Sequence, residues 1–565
     1  MRKKRIAAVL AFCTVLAGCG TYTQEGGESS AAASSSASEG AGSSEIDEFT
    51  FIATEPTSLN MVTSQTDLDN FAFYLTQEML FRPYQGVYQN EVCDSYEVSD
   101  DHLTYTYHLK ETNWPDGTPI TASDFAYYLL AQLDPANGSG NASDLIERYG
   151  FVNAAAFNNG ECTADDVGIK ALDDLTLQLT LESPKAEFEG NNIKVYPLSK
   201  SFFESQGQAY GGTLENYESS GPYLLTDWTI GSSLTYEKNE NWLCSDEQFP
   251  AKKVIQISSS DSNTSVAMFE NNEAQAMYKV DINYVDELKD YLIYTSGSAL
   301  RCVQLNTTGQ GDAAKAALLS SKNFRLALSY ALNRTAINQA VDKSVNPTSS
   351  FFNPPVPGNQ EDSLFCEDYP MKNEVPVDGD AEQAVKYLNA ALEELGYSSV
   401  DDLPTLTYLT FDNDNYRTMA ETITDQWGQV LGLKNIEINL QPVPNAIQLM
   451  CTLQYDIYYT SLGTGSSPFD FLAYWITDGS ANNPAGAGNI FSNEEYDSLV
   501  REGSQEFDRT KRMELYAQAA QIMTDELPLI PVNTVGSYYA VSHEYSNFIL
   551  SNIDDAIEIN YLKKN

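Results

Sequence analysis

Strand-like and helix-like patterns alternate along this chain, and that alternation confines it to α/β architectures more tightly than any other feature. The span 405–411 reads as a strand, 416–432 as a helix and 435–442 as a strand, with another strand at 455–460. Helical patterns recur at 263–276, 312–341, 381–396 and 508–525. Nearer the start, Phe49-Thr50-Phe51-Ile52-Ala53 reads as a strand. The span 66–82 reads as a helix, with Leu68, Phe71, Leu75 and Met79 on one stripe. No period of about 20–50 residues repeats, which excludes a solenoid.

The stretch VSDDHLTYTYHLKETNWPDGTPITASDF, residues 98–125, holds a strand, a turn and a helix start. Leu103, Tyr105, Tyr107 and Leu109 alternate with Thr104, Thr106 and His108, the pattern of a half-buried strand. Pro115-Asp116-Gly117 is turn chemistry. Thr121 and Asp124 have capping-box spacing before the apolar face Phe125, Tyr128, Leu129 and Leu133. Every feature has a structural role. His102 and His108 fit neither HExxH nor GxSxG, so no catalytic role is assigned to them.

The chain opens with Arg2, Lys3, Lys4 and Arg5, followed by a short apolar run over 6–18. As a helix that run spans under about 20 Å, too short for a hydrocarbon core of roughly 30 Å. It reads as a signal segment. Leu16-Ala17-Gly18-Cys19 resembles the lipobox of bacterial lipoproteins, which implies acylation of Cys19. Residues 20–44, GTYTQEGGESSAAASSSASEGAGSS, bear almost no large apolar side chains and read as a flexible tether. The expected location is the extracytoplasmic face of the cell membrane.

Removing residues 1–18 leaves 28 Lys+Arg against 79 Asp+Glu, a net charge of −51. So acidic a chain repels phosphate backbones, which argues against nucleic-acid partners. The cysteines at 93, 162, 244, 302, 366 and 451 are widely spaced and form no CxxC pair, so neither metal nor cofactor is expected. About 520 residues remain after the tether, more than one core usually supports.

Several ordered stretches together resemble the oligopeptide/dipeptide-type solute-binding proteins of ABC importers. They include EPTSLN (55–60), YEVSDDHLTYTYHLKETNWPDGTPITASDF (96–125), SGPYLLTDWTIGSSLTYEKNENW (220–242) and VQLNTTGQ (303–310). NFRLALSYALNRTAI (323–337), EQAVKYLNAALEELGY (382–397), QYDIYYTS (454–461) and RMELYAQAAQIMTDELPLIPV (512–532) continue the series. The resemblance implies a two-lobed periplasmic-binding-protein-like α/β fold (type II, cluster C) with an extra inserted domain. Lobe I would comprise 45–78, 190–302 and 535–565, the inserted domain 79–189 and lobe II 303–534. Hinge crossings are expected near 302–306 and 532–537.

On that resemblance the chain is a monomeric binding protein, not an enzyme. It would close on a peptide or other small solute and pass it to an ABC permease, held at the membrane by its lipid. Ser64, Gln65, Asp67, Tyr278, Lys279 and Trp475 would face the cleft, Trp475 being preferred over Trp427 as an aromatic. The loop Ser461, Leu462, Gly463, Thr464, Gly465 to Asp470 aligns with a cleft segment that typically reads W-x-A-D-Y. Gly465 stands roughly where the family's amine-binding aspartate belongs. An oligosaccharide ligand is the alternative within the same fold, and an extracellular hydrolase the more distant one.

Overall fold

The computed structural model describes residues 46–565 apart from 65, 85–86, 189, 191, 244–247, 342–344, 353–355, 360–362, 464–466, 478, 480–481, 483–490 and 551–556. The signal, Cys19 and the tether lie outside the described residues, as do Gln65, Thr464 and Gly465. No helix among the described residues is long and apolar enough to cross a membrane.

One large mixed sheet organises the molecule. Its strands, in chain order, are β1 (Phe49–Ala53), β2 (Tyr223–Thr229), β3 (Ser233–Lys238), β4 (Lys253–Ser258), β5 (Ala276–Met277) and β6 (Leu292–Leu305). They continue with β7 (Leu406–Phe411), β8 (Ile436–Gln441), β9 (Ile457–Gly463) and β10 (Leu529–Val541). The spatial order is β2-β3-β4-β1-β5-β10-β6-β9-β7-β8, with Asn346–Pro347 paired to β10. β1 is wholly buried and runs parallel to β4 and β5. Phe49, Phe51 and Ala53 enter one apolar cluster and Ile52 another, which is why the strand is apolar on both faces apart from Thr50.

β6 and β10 are long because both lobes use them. They pair antiparallel from Leu292↔Ala540 to Gln304↔Leu529. Ala540 belongs to a lobe I cluster, whereas Leu300, Cys302, Val303, Ile530 and Val532 belong to lobe II clusters. The ladder is irregular between Ser296↔Gly536 and Leu300↔Thr534, and again between Arg301↔Asn533 and Cys302↔Pro531. Residues 299–305 pair regularly with β9, while the expected crossings near 302–306 and 532–537 flank or include the two irregular steps. At Gly536 a Cβ would stand 2.0 Å from the Tyr294 hydroxyl, so glycine is what lets that ring cross the irregular stretch. The same hydroxyl accepts from Asn346 Nδ2 at 2.5 Å.

The segment 79–189 carries its own antiparallel sheet, Cys93–Val98, Thr104–Leu109, Thr176–Thr180 and Ile169–Asp173 in that spatial order. Its apolar side chains are continuous with the larger lobe I cluster. The turn and capping box legible at 115–124 are both present. Gly117 has φ +87°, and Thr121 N donates to Asp124 Oδ2 at 2.8 Å.

The helix read at 66–82 ends early, at Asp67–Thr76. The Thr76 carbonyl accepts from Ser220 N and Gly221 N, so a crossing segment takes the bond a further turn would have made. Beyond it lies a buried acid pair. Glu91 receives Arg82 through both carboxylate oxygens, leaving Glu78 with only the Thr112 hydroxyl, 2.6 Å away. Burial therefore pushes the Glu78 carboxyl up to about 8, reinforced by Glu91. A carboxyl raised in the folded state holds its proton there while the unfolded chain has already released it. Its stabilising contribution is complete below about pH 4.5 and is lost as pH rises towards 8. We expect Glu78→Gln, which keeps the acceptor for Thr112, to raise stability at pH 8 by a few kcal/mol and leave it unchanged at pH 4. Denaturant midpoints at the two values check this; equal slopes against pH for variant and parent would refute it.

Candidate functional site

β9 has two sides, and they are not alike. One side pairs with β6 along its whole length, Leu305↔Ile457 to Ala299↔Gly463. The other pairs with β7 only at Tyr408↔Ile457 and Leu409↔Tyr458. From Tyr459 to Gly463, no strand among the described residues covers that second side. Ser461 and Gly463 are exposed and Leu462 half-buried, so the last part of the strand reaches the surface. An uncovered run of N–H and C=O groups is a template for an added strand.

Beyond Gly463 and residues 464–466, the chain enters the short helix Pro468–Ala473. Ser467 and Asp470 form a capping box, with Ser467 N donating to Asp470 Oδ2 at 3.2 Å. Asp470 also meets Arg148 of the inserted domain at 3.4 Å, its side chain only 10% exposed. Arg148 borders a cavity of about 380 Å³, whose wall includes Ser64, Asn70, Asn141, Asn192 and Lys194. Burial pulls the Arg148 guanidinium down, but the surrounding Tyr149, Asp470 and Asp144 carry it above its ordinary value. A second cavity of about 210 Å³ lies past the carboxyl ends of the parallel pair β1 and β4. Tyr278, Lys279, Ser259 and Ser262 line it, with Lys279 held at φ +57° and its ammonium 5.0 Å from the Tyr278 ring centroid.

Residues 87–484 match the model of bacterial extracellular solute-binding proteins, family 5 (middle region). The chain belongs to that family. Family 5 proteins bind solutes rather than transforming them. Among relatives, the oligopeptide-binding protein OppA of Bacillus subtilis is 28% identical over 544 residues, 94% of each chain. The dipeptide-binding protein DppE of the same organism is 27% identical over 452 residues, 78% of each. The solved oligopeptide-binding protein OppAIV of Borrelia burgdorferi superposes with a TM-score of 0.69 at 24% identity. That superposition covers 92% of this chain and all of the other. The two-lobed, periplasmic-binding-protein-like fold of family 5 is thus the fold of this chain.

Within this family 5 frame the sequence candidates separate. Ser64 lines the larger cavity and donates to Asp69 Oδ2 at 2.6 Å, while Tyr278 and Lys279 line the smaller one. Asp67 opens the helix Asp67–Thr76, its side chain outside the description. Trp475 is displaced from its expected role. It is fully buried beside Phe471 in a lobe II core, because the helix ends at Ala473 and turns Phe471, Leu472 and Trp475 inward. Trp427 is also core, its indole N–H donating to Leu328 O at 2.9 Å. The aromatic left at the surface is Tyr474, 39% exposed. Burial, Asp470 and Asp144 raise its phenol. Arg148, Tyr474 and the cavity around Asn192 carry no local signal in sequence, since the fold gathers them from separate lobes.

Asp470 is already engaged, as helix cap and as partner of Arg148. Asp470→Ala should therefore cost about 1–2 kcal/mol, and Asp470→Asn clearly less, since asparagine retains a capping oxygen. Urea denaturation of both variants checks this; equal costs would show that the cap is not what Asp470 supplies.

Proposed function

We propose that this protein captures oligopeptides between its lobes and hands them to an ABC permease, tethered outside the cell by a lipid on Cys19. The single observation that carries the peptide reading is the uncovered side of β9 from Tyr459 to Gly463, ending beside the Arg148–Asp470 contact between lobe II and the inserted domain. An extended peptide laid there gains main-chain hydrogen bonds whatever its side chains are, and the cavity bordered by Arg148 gives side chains room. The names of the relatives point the same way: OppA and DppE of Bacillus subtilis are an oligopeptide- and a dipeptide-binding protein.

The chemistry departs from simple amine recognition. Gly465 replaces the acid expected in the cleft loop, and Asp470 already has protein partners. Affinity then rests on backbone pairing more than on a charged contact with the peptide terminus. Anchoring follows from the run Leu16-Ala17-Gly18-Cys19 and from the Gly/Ser-rich residues after it, which let the body search for its permease within a short radius.

Native mass spectrometry of protein purified from cells should show retained peptide masses, and thermal-shift panels should show stabilisation by peptides of several sequences. Stabilisation by oligosaccharides alone would overturn the peptide reading. For the anchor, Cys19→Ala should move the protein from the membrane fraction to the soluble one; unchanged partitioning would remove the lipid from the account.

A further inference from the structure

The contact between inserted domain and lobe II is concentrated on one carboxylate. Glu187 Oε2 accepts from Ser467 Oγ at 2.7 Å, and Oε1 accepts from the Tyr516 hydroxyl at 2.7 Å. Arg512 Nε lies 3.3 Å from Oε1, with its own side chain only 4% exposed. All three partners come from lobe II, some 280 to 329 residues further along the chain. The neighbouring backbone adds a fourth link, Ala186 N to Ser504 O at 2.9 Å.

The Glu187 turn is held firmly on its own side. Tyr105 and Tyr107, the buried tyrosines of the strand Thr104–Leu109, donate to Phe188 O at 2.9 Å and Gly190 O at 2.8 Å. Asn192, in the wall of the larger cavity, donates to Glu187 O at 2.6 Å. On the other side, Ser467 is the residue that caps the helix bearing Asp470 and leading to Tyr474. Its Oγ accepts from Phe469 N at 3.1 Å while donating to Glu187.

We propose that Glu187 is a positioning residue for ligand capture, acting through Ser467 to fix the segment 467–474 against the inserted domain. The carboxylate decides where Ser467 sits, Ser467 decides where the helix begins, and the helix decides where Asp470 and Tyr474 stand relative to the cavity. A serine cap left to itself sets only the helix start. Bonded also to Glu187, it ties that start to a turn of the opposite part of the molecule. The uncovered edge of β9 lies directly upstream of the same serine. The assignment rests on the peptide-capture reading for its role in affinity, but not for its geometry.

The test has one readout for each. In ligand-free protein, hydrogen exchange over 467–474 should accelerate roughly tenfold or more in Glu187→Ala and in Ser467→Ala, and no further in the double variant. Glu187→Gln, which keeps an acceptor, should fall between Ala and parent. Exchange in the helix Asp414–Leu431, which bears none of the Glu187 partners, should stay near that of the parent, which separates loss of positioning from general loosening. With penta-alanine as probe, Glu187→Ala should weaken binding about tenfold, mainly through faster dissociation. Additive effects of the two substitutions on exchange, or parental exchange in Glu187→Ala, would overturn the proposal. Absence of penta-alanine binding by the parent, with the exchange pattern intact, would count against peptide capture and leave the positioning role standing.

Discussion

Two strands, β6 and β10, hold this molecule together as a two-lobed object. β10 pairs with β5 on one side and with β6 on the other, and β6 carries β9, so the two strands join the two ends of the central sheet. Their mutual ladder is regular at both ends and irregular in the middle, where Tyr294 crosses Gly536. A ladder that loses register locally gives up hydrogen bonds there and bends more readily than its flanks. The irregular stretch is therefore our proposed site of bending between the lobes, set by pairing geometry. β9 inherits this arrangement, because it pairs with β6 immediately beside the irregular stretch.

Much of that scaffold is legible in sequence because it is built from local periodicities. The helices Ala381–Leu395, Asp414–Leu431 and Arg509–Glu526 and the strands β7 to β9 fall close to where hydrophobic spacing puts them. Errors occur where a distant segment takes over a local decision. The pattern over 312–341 resolves into three helices, with Asp312 and Ser321 as side-chain caps of the first two. The helix Asp67–Thr76 stops because residues 220–221 cross its end, a contact no window of sequence contains. Trp475 and Tyr474 show the same limit at finer scale: one residue past a short helix decides which ring is core and which is surface.

The arginines of NFRLALSYALNRTAI illustrate a further kind of illegibility. Arg325 gives its guanidinium to the carbonyls of Ser320, Glu526 and Leu527. Arg334 gives its own to Pro531 O and to the backbone and hydroxyl of Ser329. The stretch matches the family in sequence, but nothing in it says that two cations clamp the entry to β10. A guanidinium with five donors can satisfy several carbonyls at once, which a lysine cannot. Burial pulls Arg334 down to about 10, still charged at neutral pH, where its carbonyl partners accept from the cation.

The site obeys the same rule as the scaffold, with less help from periodicity. Asp470 lies hundreds of residues from Arg148 and Glu187 and meets their segment only because the inserted domain leans on lobe II. In the chain as a whole, acids outnumber bases by 47, yet at this contact each acid has a specific partner: Asp470 has Arg148, and Glu187 has Arg512. The excess charge elsewhere is solvated and screened over roughly a Debye length, about 8 Å at physiological salt. It acts on solubility and on the approach of ligands. With Asp470 and Glu187 engaged in this way, the proposed grip on a peptide falls to main-chain hydrogen bonding along β9 and to the shape of the neighbouring cavity. A binding surface of that kind would discriminate by backbone conformation and side-chain volume, so affinity there would not require a specific sequence.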